Sequence, residues 1–183
     1  MPAERPDDAA LVARAREGDI DAFEALVRMH TRAVYAHAVR FFGSPDSAED
    51  VVQEVFVKVY RSLSSFDGTA AFSTWLYRVT RNTCLDAVRA GRHRPVPVDP
   101  VDLVIPAPGD LADEVALSAA VEHAIEALPP EDRDALNAVT VFGLSYAEAA
   151  SALGVPAGTV KSRVFRARRA LISALGIGTG GAC

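Results

Sequence analysis

A proline-rich acidic segment near the middle of the chain restricts the possible folds more than any other feature. Residues 95–113 contain five prolines and four aspartates. Proline lacks a backbone N–H and fixes φ, so this segment cannot continue a helix. We predict an extended linker that divides the 183-residue chain into two domains. The predicted parts are an N-terminal segment over 1–17, a first domain over 18–94, the linker over 95–113, a second domain over 114–177 and a flexible tail over 178–183.

Helical periodicity on both sides of the linker predicts an all-α protein made of two small helical domains. In the first domain the repeat of Val51, Val55 and Val59 gives one buried helix face. Asp19, Ser44 and Ser73 are candidate N-caps. The predicted helices cover residues 9–18, 20–42, 45–63, 74–89, 114–128, 131–142, 146–153 and 156–175.

The segment Thr159–Leu175 predicts an amphipathic helix with one basic face. Its apolar residues fall within about 60° of the helix circumference; they are Val160, Val164, Leu171 and Leu175. The opposite face carries Thr159, Ser162, Arg163, Arg166 and Arg169. Because no acidic residue lies between Glu148 and the C-terminus, we expect this face to remain without a neutralising neighbour.

The sequence before this helix completes a helix-turn-helix pattern. Ser145 and Glu148 form a capping-box signature, and Gly154-Val-Pro156 predicts a tight turn with Val155 at the next cap and Pro156 as the first helical residue. A short capped helix, a turn and a longer helix with a basic outer face are typical of duplex DNA readers. The alternative for the basic face alone is a solvated helix end.

In the first domain, arginines and aromatic residues interleave in the manner of single-strand binders. Arg78, Arg81, Arg89 and Arg92 fall within about 80° of one helix if it runs on past Arg89, near Trp75 and Asn82. The alternative is that Trp75 and its neighbour Tyr77 belong to the core. The preceding loop contains Phe66 and Phe72, which either anchor the loop or expose a surface for base stacking.

The helix predicted from Pro45 has acidic first turns, which include Asp46, Glu49, Asp50 and Glu54. These residues either complement the helix dipole or form an acidic docking surface for a basic partner.

Composition narrows the possible functions. Half the residues are hydrophobic, which suffices for a core, but no run of about 18 apolar residues could span a membrane. The charged N-terminus has no apolar signal core, so we expect a cytoplasmic protein without membrane insertion. Two cysteines and four scattered histidines give no metal-ligand spacing. We therefore expect no cofactor, no metal and no enzymatic activity.

With these motifs in place, the chain resembles the extracytoplasmic-function (ECF, group 4) sigma factors of bacterial RNA polymerase. Three stretches carry the resemblance in the family's order. AEDVVQEVFVKVYRSLSSF (Ala48–Phe66) is similar to the polymerase-binding region, and FSTWLYRVTRNTCLDAVR (Phe72–Arg89) is similar to the promoter-melting region. The stretch from Leu128 to Leu171 is similar to the C-terminal helix-turn-helix domain.

The resemblance implies a role for individual residues. Those matching the region that docks on the clamp helices of the largest polymerase subunit are Asp50, Gln53, Glu54 and Phe56. Asn82 matches a position in the pocket for a flipped minus-ten base, and residues 66–72 match the specificity loop of that pocket. The predicted minus-ten residues are Phe66, Asp67, Gly68, Thr69, Trp75, Arg78, Arg81, Asn82 and Arg89. The predicted minus-thirty-five residues are Thr159, Lys161, Ser162, Arg163, Phe165, Arg166 and Arg169.

The implied partners are core RNA polymerase, promoter DNA and an anti-sigma factor. Because the net charge is −5 and the linker is acidic, we expect the free chain to bind DNA poorly. Two alternatives stay open on the residues alone. A helix-turn-helix regulator would bind a palindrome as a dimer without polymerase. A nucleic-acid enzyme would need clustered carboxylates or a metal site near the basic helix.

Overall fold

The computed structural model describes residues 6–92 and 120–176, and within these ranges the chain is helical and contains no strand. The expected all-α fold is confirmed. The helices are α1 (Pro6–Arg16), α2 (Ile20–Phe42), α3 (Pro45–Ser62), a 3-10 turn (Leu63–Ser65), α4 (Phe72–Arg89), α5 (120–126), α6 (Pro130–Thr140), α7 (Tyr146–Leu153) and α8 (Ala157–Ala174). The predicted linker over 95–113, the tail over 178–183 and the first part of the helix expected over 114–128 lie outside the described residues.

Side-chain caps fix the starts of three helices as expected. The Asp19 carboxylate accepts a hydrogen bond from the Ala22 amide at 3.0 Å, at the start of α2. Ser44 does the same for α3, and Pro45 follows as its first residue. At α7, Ser145 and Glu148 form the complete reciprocal capping box. These caps satisfy amides that have no partner within the helix.

The expected starts of two other helices are wrong by one or two residues. Ser73 does not cap α4, because the helix already begins at Phe72, whose ring is buried in the core. At α8, Pro156 is the N-cap and Ala157 the first helical residue, so Val155 is not the cap. Helices α1 and α6 also begin and end earlier than the expected ranges 9–18 and 131–142.

The predicted apolar faces build the core. Val51, Val55 and Val59 of α3 are buried against α2 and α4. Val160 and Val164 of α8 are buried in the same way against α6 and α7. The periodicity read from the sequence therefore identifies the inward face of both helices.

The two parts of the chain also pack against each other. Helix α4 lies against α7, and the ring of Tyr77 on α4 meets that of Phe142 with centroids 5.1 Å apart. Both residues belong to one continuous apolar core that joins the two sides of the proline-rich segment. This packing places several residues predicted to bind DNA next to the other half of the chain.

Candidate nucleic-acid and polymerase interfaces

Helices α7 and α8 form the helix-turn-helix expected from the sequence. Gly154 ends α7 with a left-handed backbone, φ +69°, which glycine adopts without steric cost. Val160, Val164 and Ala167 bury one face of α8 and fix its rotation. The opposite face is therefore presented outward; its exposed members are Lys161, Ser162, Phe165, Arg166 and Arg169, and its half-buried members are Thr159 and Arg163.

Aromatic rings support two of the cations on the outer face of α8. The Arg169 guanidinium lies 5.8 Å from the centroid of the Phe165 ring, which is itself 61% exposed. The Lys161 ammonium lies 5.9 Å from the centroid of the Tyr146 ring on α7. Cation–π contacts of this kind restrict long side chains while leaving their charge available to a ligand.

Arg166 is held by a carboxylate that the sequence did not reveal as its neighbour. Its Nε and Nη2 donate to the two oxygens of Asp132 on α6, at 3.0 and 2.6 Å. The Asp132 side chain is 4% exposed and that of Arg166 is 56% exposed. The expectation of a basic face without a neutralising neighbour is therefore wrong, because an acidic residue remote in sequence reaches α8 through the fold.

The arginine stripe of α4 divides into two parts. Arg78 donates to the Ser151 hydroxyl at 2.7 Å, and Arg81 donates to the Asp134 carboxylate at 2.8 Å, so both point toward the C-terminal helices. Asn82 and Arg89 are exposed. Trp75 is half-buried, whereas Tyr77 is completely buried, so the core alternative is correct for Tyr77.

The aromatic residues that flank the loop before α4 serve as anchors. Phe66 and Phe72 are buried, with the Phe66 ring 5.2 Å from Trp75 and 6.0 Å from Phe72. Of the two readings left open, anchoring is therefore correct, and Phe66 supports the loop from beneath instead of exposing a ring for base stacking.

The tip of the same loop is exposed and internally hydrogen-bonded. The Asp67 carboxylate accepts from the Thr69 amide at 2.9 Å and from its hydroxyl at 2.8 Å, and these bonds lower the pKa of Asp67. Gly68, between them, has φ +73°. The three residues therefore present a turn of defined shape, with an anionic side chain, next to α4.

On α3, two of the four residues predicted to bind polymerase are exposed, Asp50 and Gln53. Glu54 is half-buried and accepts from Arg92 at 2.8 Å and Lys58 at 3.0 Å, and the Arg92 hydrogen bond is the main cause of its lowered pKa. Phe56 is partly buried against the core.

Sequence reasoning missed two apolar members of the α3 surface. Val57 and Tyr60 are 47% and 60% exposed. With Asp50 and Gln53 they are spaced three or four residues apart, which places all four on one helix face. Phe23 of α2 extends this face, with its ring edge-on to Tyr60 at 5.1 Å between centroids. We call Asp50, Gln53, Val57 and Tyr60 the α3 face. Their spacing of three, four and three residues is the sequence pattern that could have identified this face.

Within residues 6–92 and 120–176, no group of three or more histidine, cysteine, aspartate or glutamate side chains is arranged to hold a metal ion. None of the helices described there is long and apolar enough to cross a membrane.

Comparison with protein families identifies both halves of the chain. Residues 26–94 match the family model for sigma-70 region 2. Residues 118–171 match a family model for sigma-70 region 4.

Similar proteins extend over nearly the whole chain. The RNA polymerase sigma-H factor of Pseudomonas aeruginosa is 38% identical over 182 residues, covering 92% of this chain and 93% of that protein. The ECF RNA polymerase sigma-E factor of Escherichia coli K12 is 39% identical over 181 residues, covering 92% and 94%.

Two solved structures have similar folds. That of CnrH in complex with the cytosolic domain of CnrY superposes with a TM-score of 0.68 and 28% identity, covering 94% of this chain and 99% of that one. The sigma factor RpoE from Bartonella quintana, solved with the anti-sigma factor NepR, gives a TM-score of 0.66 and 27% identity, covering 85% and 97%.

Proposed function

The chain belongs to the ECF family of RNA polymerase sigma factors, and we propose that it recruits core polymerase through α3 and directs it to promoters through α4 and α8. The observation that carries the proposal is the presence of three different surfaces on one chain: an outward basic recognition helix, an exposed loop beside α4, and the mixed polar and apolar α3 face. An initiation factor needs all three and needs no catalytic group of its own.

The minus-thirty-five element is read as duplex by the outer face of α8. A helix of this width fits the major groove, where arginine and lysine donate to guanine and small hydroxyls contact either phosphates or bases. Phe165, with its exposed ring, suits a thymine methyl group. Arg166 has Nη1 and one hydrogen of Nη2 left for DNA after it has bound Asp132.

The minus-ten element is captured as single strand by the loop over 66–71 and the exposed edge of α4. Asn82 offers both an amide donor and an acceptor for the edge of an unpaired base. Asp67, Gly68 and Thr69 supply the wall beside it. Capturing a flipped base offsets the few kcal/mol that unstacking costs, and this makes promoter opening favourable.

The α3 face binds core polymerase. Exposed Val57 and Tyr60 supply apolar area at the centre, and Asp50 adds a charge that suits a basic partner. We also propose control by an anti-sigma factor, since RpoE, a structural relative, was solved in complex with one. The chain then acts inside the cell, where polymerase and promoters are.

Two variants test whether the outer face of α8 binds DNA and the α3 face binds polymerase. Lys161→Ala should weaken duplex minus-thirty-five binding by about 1 kcal/mol or more and leave core-polymerase affinity unchanged. Tyr60→Ala should do the reverse, since large aromatic residues carry much of the energy of protein interfaces. Equal losses in both assays for either variant would contradict the assignment. A helix-turn-helix regulator would instead bind a palindrome as a dimer and show no polymerase affinity at all.

A further inference from the structure

A surface pocket lies between the end of α1 and the 3-10 turn, outside the surfaces assigned so far. Its volume is about 380 Å³, and it is lined by Ala13, Arg16, Glu17 and Ser64. We call these four residues the α1 pocket. All four are exposed, and the volume is within the range of about 300–1,000 Å³ that is common for small-molecule sites.

The α1 pocket has a fixed shape because both ends of α1 are anchored. Near the start of the helix, the buried Asp8 carboxylate lies 3.1 Å from Nε2 of His30 on α2. At its end, the Arg14 guanidinium donates to the Asp19 carboxylate at 2.6 and 2.8 Å and so holds the turn into α2. The charged residues of the pocket lie between these two contacts, so their side chains extend from a defined backbone.

The α1 pocket borders the loop proposed to hold the minus-ten element. Ser64 precedes by two residues Phe66, which anchors that loop. Hydrogen bonds from Thr69 are the main cause of the lowered pKa of Asp67 at the loop tip, and the nearby Arg16 charge adds to the shift. Helix α1 also packs against the 3-10 turn and against α4. A strand held by the loop can therefore continue into the pocket.

The two charged side chains of the pocket are available to a ligand. Within residues 6–92 and 120–176, neither Arg16 nor Glu17 has a side-chain hydrogen bond or an ion pair. A guanidinium beside a DNA-binding loop suits a phosphate. A carboxylate repels phosphate and accepts only from N–H or O–H groups. In DNA those donors are on the edges of the bases, so Glu17 indicates a base and not only a backbone contact.

The donor pattern of the bases favours guanine at Glu17. The Watson–Crick edge of guanine carries N1–H and the N2 amine side by side, so it can donate two parallel hydrogen bonds to one carboxylate. Cytosine and adenine each offer a single amine on that edge. The Ser64 hydroxyl can donate to O6, the acceptor next to N1 of guanine. This edge is accessible only in an unpaired base, as in an opened promoter.

We propose that the α1 pocket binds an unpaired guanine next to the base captured at Asn82, with Glu17 reading its Watson–Crick edge and Arg16 binding its phosphate. This inference rests on the proposed function and adds a second base site to its minus-ten surface. It gives α1 a part in promoter choice, whereas the sequence interpretation placed no minus-ten contact before Phe66.

A promoter library tests the base preference. Core polymerase and the full-length chain transcribe promoters with random bases around the minus-ten element, each identified by a barcode in its transcript. The parent should favour guanine about tenfold at one position beside the minus-ten element. Glu17→Gln should lose this preference and keep all others, because an amide has one acceptor and places a donor against the guanine N–H groups. Glu24→Gln, the same change at an exposed position of α2, should match the parent.

The phosphate contact is tested with single-stranded DNA that carries the preferred minus-ten sequence, bound by the complex of core polymerase and chain. Arg16→Gln should reduce the steepness of log K against log salt by about 0.7, because one phosphate contact on a single strand is lost. Arg28→Gln, which removes an exposed arginine of α2, should leave the slope unchanged.

The outcomes separate this inference from the proposed function. Identical base preferences in the parent and Glu17→Gln would overturn the inference, and chain-dependent initiation in the same experiment would leave the proposed function standing. A site for a free guanine nucleotide, which has the same chemistry, would also give identical preferences. An unchanged salt slope in Arg16→Gln would contradict the phosphate contact. If the chain supports no initiation, the proposed function is wrong and the inference is wrong with it.

Discussion

Acidification should destabilise the fold through His37, which lies where α2, α4 and the end of α6 meet. The ring is completely buried among Phe41, Tyr77 and Phe142, with centroids 5.5 to 6.2 Å away. Neither ring nitrogen has a hydrogen-bond partner. Burial lowers the pKa of His37 from 6.5 to about 4; the Asp134 charge opposes this shift, and Arg81, Arg133 and Arg40 add to it.

The sign and size of the effect follow from proton linkage. The unfolded chain binds a proton at His37 below pH 6.5, whereas the folded chain does so only below about 4. The effect of His37 on the free energy of unfolding is therefore absent above pH 6.5. This effect lowers the free energy of unfolding as pH decreases from 6.5 to about 4, and it is constant below that. At about pH 5 the difference of roughly 1.5 pH units corresponds to about 2 kcal/mol.

Urea unfolding of the parent and of His37→Phe isolates this contribution. Phenylalanine keeps an aromatic ring and cannot take a proton, and the carboxylates titrate in both proteins. From neutral pH to about pH 5, the parent should lose about 2 kcal/mol more of its unfolding free energy than the variant. Equal losses in the two proteins would show that His37 is not buried in its uncharged form.

Further substitutions test the local structure of the candidate sites. Ser145→Ala removes the α7 capping box and should lower stability by about 1 kcal/mol in thermal unfolding. Gly154→Ala meets no atom within 4 Å but forces a side chain to φ +69°, so it should cost about 1 kcal/mol by backbone strain alone. Phe66→Ala should cost about 3–5 kcal/mol in the same assay, because its ring anchors the loop. Asp132→Asn frees Arg166 and should steepen the dependence of log K on log salt for duplex binding by about one unit; an unchanged slope would mean that Arg166 makes no phosphate contact.

Signals local in sequence predicted most of the fold. The caps at Asp19, Ser44 and Ser145 depend on residues three apart, and the valine stripe of α3 depends on one helix period, so each could be read without the rest of the chain. The start of α4 was misjudged because Phe72 is drawn into the helix by burial in a core formed by distant segments. Helix propensity depends on the neighbouring residues in sequence and does not include the free energy of this burial.

The sequence was enough to predict the types of residue at the candidate sites, but not the groups that surround each of them. The pairing of Arg166 with Asp132 joins residues 34 apart, and that of Arg81 with Asp134 joins residues 53 apart. The absence of acidic residues near Arg166 in sequence therefore predicted its charged neighbours wrongly, because charges interact through space. For Phe66, composition allowed both an anchor and a stacking surface, and only the packing against Trp75 distinguishes them.

Run-off transcription tests the central claim most directly. Core polymerase is combined with a library of promoter fragments, with and without the chain, and with Arg163→Ala and Asn82→Ala as variants of the two reading surfaces. The account predicts start sites that require both the chain and polymerase, with weaker initiation for each variant and unchanged core binding. The absence of any chain-dependent start site would contradict it.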